Sequence, residues 1–176
     1  YQRRVRGMIE EHEFNGLKFR PFKNDKDLHD IRELFASEFS EPYQVWTYRF
    51  FAEQYPSLTF FAEHNSKIVA CCMCMLQPEY KNRIQGYIGM ICVADEFKRA
   101  KIGQHMAELA FIEFQKLNTD VVILETEDDN HRAIAFYERL GFYKSRHYYR
   151  YYLNGKGAYQ MTKWFKQAEG EVELSE

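Results

Sequence analysis

Proline and glycine are scarce in this chain, with 4 and 9 residues in 176. No Pro/Gly/Ser-rich linker, repeat or low-complexity tract interrupts it, so a single domain of ordinary size is expected. Long apolar runs are also missing. The longest, Ile68 to Leu76, falls far short of the roughly 20 residues that a membrane-spanning helix needs. The opening Tyr-Gln-Arg-Arg-Val-Arg-Gly has no apolar stretch of the signal-peptide kind. Nor is there an excess of one charge. Lys and Arg total 24 against 26 acids, a net charge of −2, which leaves no overall positive field to attract nucleic acid or anionic lipid. Cysteines are few, and all 4 (Cys71, Cys72, Cys74 and Cys92) fall in apolar, strand-like segments. Disulfides at Cys71-Cys72-Met73-Cys74 would be strained, and no close His pair or second Cys pair completes a zinc site. Reduced thiols, no metal and a cytoplasmic setting are therefore expected. The chain starts at Tyr1 rather than Met, which suggests a piece of a longer protein.

Against these absences stands an ample apolar supply. Hydrophobic residues make up 45% of the chain and aromatics 17%, with 13 Tyr and 15 Phe. That is enough for a core and leaves rings over for a binding cleft. Leu17-Phe19-Pro21 reads as a strand, with Asn24 or Asp25 placed to cap a helix that carries Leu28, Ile31, Phe35 and Phe39 at helical spacing. Val45 to Tyr55 reads as a second helix, stopped by Pro56. Leu58–Glu63 and Lys67–Leu76 flank Asn65-Ser66 as a hairpin. Ile84–Val93 is a strand, and Ile102, Met106, Leu109, Ala110 and Leu117 stripe a helix. Val121–Glu125 is a short buried strand, and Arg132–Leu140 is a helix capped by Gly141. Phe142–Leu153 reads as one long aromatic strand, paired with Ala158–Trp164 across Asn154-Gly155. The expected fold is α/β of the mixed α+β kind, a mixed central sheet of about seven strands with helices on both faces. The domain is placed at residues 17–165. Residues 1–16, which begin basic, and 166–176, which end acidic, read as solvated extensions.

Three segments carry chemistry. In the first, strand Gly86–Val93 leads through Asp95-Glu96-Phe97-Lys98-Arg99-Ala100-Lys101 into a helix start at Ile102-Gly103-Gln104. Unpaired amides at a positive helix end make such a turn a phosphate cradle, although on this segment alone a basic surface loop is the better reading. The second, Leu124-Glu125-Thr126-Glu127-Asp128-Asp129-Asn130, ends a buried strand with a carboxylate where open sheets bind ligands. The third, Asn130 to Phe142, is by spacing alone an amphipathic helix with core rings.

Together the three segments resemble the GNAT superfamily of acetyl-CoA-dependent N-acetyltransferases. Asn130, Ala133, Phe136, Tyr137, Gly141 and Phe142 match its Asn-x-x-Ala-x-x-Phe/Leu-Tyr-x-x-x-Gly-Phe element, and the likeness runs from about Leu17 to Phe165. The sequence is similar, more closely, to the NatC-type branch. The matching stretches are Ser40-Glu41-Pro42-Tyr43 with Tyr48-Arg49-Phe50-Phe51, Gly86–Met90, Leu124–Glu127 and Arg150-Tyr151-Tyr152-Leu153-Asn154. One departure stands in the phosphate loop, where the family's leading Gln/Arg is Lys98 and its middle Gly is Lys101. A lysine there must take a turn that glycine takes freely.

The resemblance implies acetyl-CoA as co-substrate. It would be held by Ile91, Cys92 and Val93 along a splay between the fourth and fifth strands. Residues Lys98, Arg99, Ala100, Lys101, Ile102, Gly103 and Gln104 would hold its pyrophosphate, and Asn130 and Tyr137 would touch the arm. The backbone near Met90 or Ile91 would polarise the thioester. Glu125 is implied as the base, through water, and Tyr137 as the acid. Glu41, Tyr43, Tyr87, Tyr151 and Tyr152 would form the peptide site for protein N-termini that begin with Met and a bulky apolar residue. The implied partners are auxiliary NatC-type subunits and, through them, the ribosome, with no direct nucleic acid or membrane contact. The alternatives are a GNAT enzyme acting on lysine or a small amine, and a weakly active CoA-binding subunit.

Overall fold

The computed structural model describes residues 8–39, 43–78 and 81–166. Eight strands of the described residues form one mixed sheet in the order β1-β2-β3-β4-β5-β6-β8-β7. They are β1 His12–Phe14, β2 Leu17–Pro21, β3 Thr59–His64, β4 Lys67–Leu76, β5 Gln85–Val93, β6 Val121–Glu127, β7 Tyr143–Tyr148 and β8 Ala158–Trp164. Four α-helices accompany them: α1 Asp25–Glu38, α2 Val45–Gln54, α3 Ile102–Lys116 and α4 His131–Arg139. Only β5 and β6 run parallel, joined by α3. The other neighbours are antiparallel.

Strand alternation divides the core into two layers. Phe60, Ala62, Ala70, Cys72, Cys74 and Ile88 point to the face covered by Ile102, Met106, Ala110 and Phe114 of α3 and Ile134 and Tyr137 of α4. Their neighbours Phe61, Cys71, Met73, Met90 and Cys92 point to the face covered by Leu28, Ile31 and Phe35 of α1 and Tyr48 and Phe51 of α2. That is the period-2 pattern of a central sheet buried on both sides, shifted by one residue in β5 between Ile88 and Met90. Asn24 caps α1, its Oδ1 accepting from the Lys26 amide at 3.0 Å. Gly141 takes φ +92° just past α4, where its amide reaches the Glu138 carbonyl at 3.0 Å. The four cysteines are free and buried.

Two expectations change. The sheet starts earlier than residue 17, because β1 pairs with β2 through His12↔Phe19, Glu13↔Lys18 and Phe14↔Leu17. An Asn15-Gly16 turn, with φ of 46° and 81°, closes this hairpin. The segment after Phe142 is not one long strand. It leaves the sheet after Tyr148, where Arg150 (φ 50°) and Gly155 (φ 83°) reverse the chain and Gly155 N–H bonds the Tyr152 carbonyl at 2.9 Å. Residues 149–157 form a loop over the end of β6. At the other end of the domain, Lys166 pairs with Asp120 at 3.4 Å.

Candidate active site

The site begins with a divergence. β5 and β6 pair only at Gln85↔Val121, Gly86↔Val122 and Tyr87↔Ile123, although β5 runs on to Val93 and β6 to Glu127. Beyond Tyr87 the two strands part. A bulge on the other side of β5 adds to this, since the register with β4 slips between Met73 and Cys74 and leaves Gly89 extra. Only glycine fits there: a Cβ would lie 2.7 Å from Phe51 Cζ and 3.2 Å from the Met73 carbonyl oxygen.

The gap opens into a groove of about 1130 Å³, lined by Ile88–Val93, Lys98, Arg99, Lys101–Gln104, Leu124–Thr126, Asn130 and residues of α4 that include Tyr137. Pockets for drug-sized ligands are typically about 300–1,000 Å³, so this one suits a large, extended molecule. At one end lies the turn into α3. Arg99 (φ 71°) and Lys101 (φ 59°) are both left-handed, as expected for the lysine that replaces glycine. The first intrahelical bond runs from the His105 amide to the Lys101 carbonyl at 3.0 Å. The amides of Ile102, Gly103 and Gln104 are thus left to a ligand at the positive end of a 15-residue helix. Arg99, Lys101, Arg132 and Arg139 line the same groove.

Lys98 lines the groove with its charge already paired. Its ammonium contacts Glu38 and Asp95, each at 2.5 Å, which ties the end of α1 to the turn. Ala100, placed with the cofactor loop from sequence, is absent from the groove lining, and its carbonyl accepts from Asn15 instead. The Asn130 side chain accepts from the Ala133 amide at 3.1 Å as the cap of α4, and the residue borders the groove.

A second cavity of about 140 Å³ adjoins the first. It is lined by Phe35, Phe39, Tyr43, Tyr48, Tyr87, Tyr151, Tyr152 and Glu125, with Gly89 and Met90 at its floor. Phe39, Gly89, Met90 and Glu125 line both cavities. Glu125 thus sits where the two meet. Burial pushes its carboxyl above the ordinary range, while the Tyr87 hydroxyl and Gln160 amide beside it favour ionisation. Its buried Oε2 has no hydrogen-bond partner among the described residues. Tyr137, 9% exposed, has its phenol pushed well up, by burial first and by the neighbouring cysteines second. It is fully protonated at neutral pH.

The aromatic loop is tied down by charge. His147 Nε2 meets Asp128 Oδ2 at 2.8 Å, and Lys156 bridges Glu127 at 2.9 Å and Asp129 at 3.0 Å. Of the peptide residues expected from sequence, Tyr43, Tyr87, Tyr151 and Tyr152 converge on the small cavity. Glu41, with Ser40 and Pro42, lies outside the described residues.

The arrangement has known counterparts. The profile of the Acetyltransferase (GNAT) family matches residues 28–142. The chain belongs to this family. Among curated GNAT relatives, it is 33% identical over 150 residues to N-alpha-acetyltransferase 30 of Xenopus laevis, covering 85% of this chain and 55% of that protein. It is 33% identical over 144 residues to N-alpha-acetyltransferase 30 of Saccharomyces cerevisiae, covering 79% and 82%. Thus the chain spans about half the length of the vertebrate relatives it matches. Among solved structures, the NatC complex bound to Gag peptide and CoA superposes with a TM-score of 0.81 at 30% identity, covering 85% of this chain and 99% of that one.

The motif residues of this GNAT domain were legible in the sequence, but several neighbours were not. Spacing marks Phe35 and Phe39 as part of a helical core stripe, yet both line the small cavity. Glu38, outside every motif, and Arg132 and Arg139, at unspecified positions of the Asn130–Phe142 element, also line the groove. The i, i+4 spacing of Phe35 and Phe39 was the one available signal.

Proposed function

We propose that the chain is an N-terminal acetyltransferase of NatC type, moving acetyl from acetyl-CoA to the α-amine of proteins that begin with Met followed by a bulky apolar residue. One observation carries this reading: Glu125, a carboxylate with one oxygen that has no partner among the described residues, stands at the junction of a long groove with a helix N-terminus at its end and a small cavity walled by aromatic rings.

The acetyl-CoA pyrophosphate would lie on the amides of Ile102, Gly103 and Gln104, and its arm along Ile91, Cys92 and Val93, where β5 has lost its partner strand. The amine nitrogen attacks the thioester carbon, and the carbon–sulfur bond breaks. An amide N–H near Met90 or Ile91 stabilises the developing oxyanion. A proton leaves the amine for Glu125, through water, and Tyr137 gives one to the departing thiolate. An α-amine has a pKa of about 7.7–8.0, so a half-buried carboxylate suffices as base. Cys92 stands on the cofactor strand, but burial first and Glu38 second push its thiol up to about 12. It is a poor nucleophile, which favours direct transfer over an acyl-cysteine intermediate.

Peptide choice follows from the small cavity. Its volume suits one or two apolar side chains, each worth roughly 1.5–3 kcal/mol when buried. Auxiliary subunits of NatC type, and through them the ribosome, are the partners proposed, in the cytoplasm. No described helix is long and apolar enough to cross a membrane.

The test is acetylation of a peptide panel, with and without candidate auxiliary subunits. Peptides starting Met-Leu, Met-Ile or Met-Phe should outrun those starting Ser, Ala or Met-Glu. Comparable rates on Ser- or Met-Glu-peptides, or preference for an internal lysine, would sink the substrate assignment and leave the GNAT fold standing.

A further inference from the structure

The phosphate loop of this chain carries two left-handed residues that are not glycine, Arg99 and Lys101, with Ala100 between them. L-residues reach that conformation only at a cost, and it persists where surrounding contacts over-determine it. The contact at this turn comes from the far edge of the sheet. Asn15 Nδ2 donates to the Ala100 carbonyl at 2.8 Å. Asn15 is itself fixed in the β1–β2 turn at φ 46°, a conformation asparagine tolerates better than most residues, with Gly16 at φ 81° behind it.

The same hairpin grips the helix that the loop opens. The Phe14 ring stacks on His105 with centroids 4.0 Å apart and planes 8° from parallel. His12 Nε2 meets His105 Nε2 at 2.9 Å, and Phe19 packs edge-on to the same imidazole at 4.8 Å. His105 carries the amide that makes the first bond of α3. The hairpin thus holds the turn on both sides, at the carbonyl between its two left-handed residues and at the first turn of the helix. β1 buries little for itself, since its three residues are half-buried, exposed and half-buried.

We infer that Asn15 is a positioning residue for acetyl-CoA: through the Ala100 carbonyl it holds Arg99 and Lys101 in the left-handed turn that aims the amides of Ile102, Gly103 and Gln104 at the pyrophosphate. This rests on the proposed reading of that turn as the phosphate site. It assigns a task to β1 and the turn after it, which sequence alone leaves within a solvated extension. It also explains how a lysine stands where the family has glycine: the hairpin supplies the restraint.

The experiment uses the full chain with whatever auxiliary subunits the wild type needs, and measures CoA binding by calorimetry together with steady-state kinetics. Asn15→Ala and Asn15→Asp remove the donor, and Asn15→Asp keeps a residue that tolerates the turn. Both should raise the Kd for CoA and the KM for acetyl-CoA about threefold to tenfold, the scale of one hydrogen bond. The kcat and the peptide KM should stay unchanged. In a Lys101→Asn background, where position 101 takes the left-handed turn more readily, the effect of Asn15→Ala should shrink below about twofold. A global structural role would lower kcat and thermal stability together and would not be relieved at position 101. The inference is overturned by an unchanged CoA Kd in Asn15→Ala, or by an equal loss in the Lys101→Asn background. If the wild type binds no CoA, the reading of the phosphate site falls, and this inference with it.

Discussion

Tyr87 closes the last registered pair between β5 and β6, opposite Ile123, and its hydroxyl lies against the carboxyl of Glu125, two residues further along β6. One side chain thus marks the point where the sheet opens and steadies the group proposed to accept a proton there. Burial works on both partners, raising the phenol and the carboxyl alike. Tyr87 remains a donor and Glu125 becomes a better base than a solvated carboxylate.

Glu125→Gln should therefore slow acetyl transfer by about 10²–10⁴-fold, with partial recovery at high pH as the amine deprotonates unaided. Stability should move the other way. A carboxyl whose folded pKa lies above its ordinary value of 4.5 favours the folded state when protonated and opposes it when ionised. The penalty is absent below the ordinary value, grows through the interval up to the folded value, and is complete above it. Thermal melts at neutral pH should show Glu125→Gln more stable than wild type, with the difference vanishing in acid. A destabilised variant at neutral pH would contradict the burial argument.

Tyr137→Phe keeps the ring that packs against Phe136 and Phe142, with centroids 5.0 and 5.6 Å away, and removes only the hydroxyl. Turnover should fall by about 10²–10⁴-fold while peptide and CoA affinities hold. An unchanged kcat would remove the assigned acid role.

Lys101→Gly separates two effects at one position. It relieves a left-handed non-glycine residue, worth on the order of 1–3 kcal/mol, and removes a cation that lines the groove. Salt screens the cation but not the strain. Acetyl-CoA affinity should change little at low ionic strength and improve at high, by calorimetry at two salt concentrations. A sharp fall in both would make Lys101 the principal phosphate ligand.

Gly157→Ala tests the anchor of the aromatic loop. A Cβ there would lie 2.3 Å from Asp128 Oδ2, 2.9 Å from the Tyr148 carbonyl oxygen and 3.0 Å from His147 Nε2. The Asp128–His147 contact must shift, and with it the loop that carries Tyr151 and Tyr152. The peptide KM should rise severalfold while acetyl-CoA affinity is unaffected. Equal losses for both substrates would mean that the damage spreads beyond the loop.

How far the sequence could be read depended on the range of the interactions. Asn24, Gly141 and the core stripe of α3 act within a few residues, and they appear where spacing places them. Glu125 and Tyr137, which stand at fixed offsets within motifs, both line the groove. Lys98 shows the limit. Its place in the groove follows from its position in the loop, but nothing local reveals that its ammonium contacts Glu38, sixty residues earlier in the chain. Asn15 and His12 give no local sign at all, because their partners, Ala100 and His105, lie 85 and 93 residues further along the chain. The Tyr143–Tyr148 strand was overextended for a related reason. Its aromatic run continues without a break, and only the backbone reversal at Arg150 ends it.

The parting of β5 from β6 leaves a strand edge inside the molecule rather than at its rim. Past Tyr87, the β6-facing amides and carbonyls of β5 have no registered ladder partner among the described residues. Amides there should exchange with deuterated solvent much faster than those of β4, which are paired on both sides. An extended ligand that lies along this edge completes the missing ladder, so it would slow exchange at Ile88–Val93 before any rate is measured. By mass action, it would also raise the melting temperature in step with its concentration.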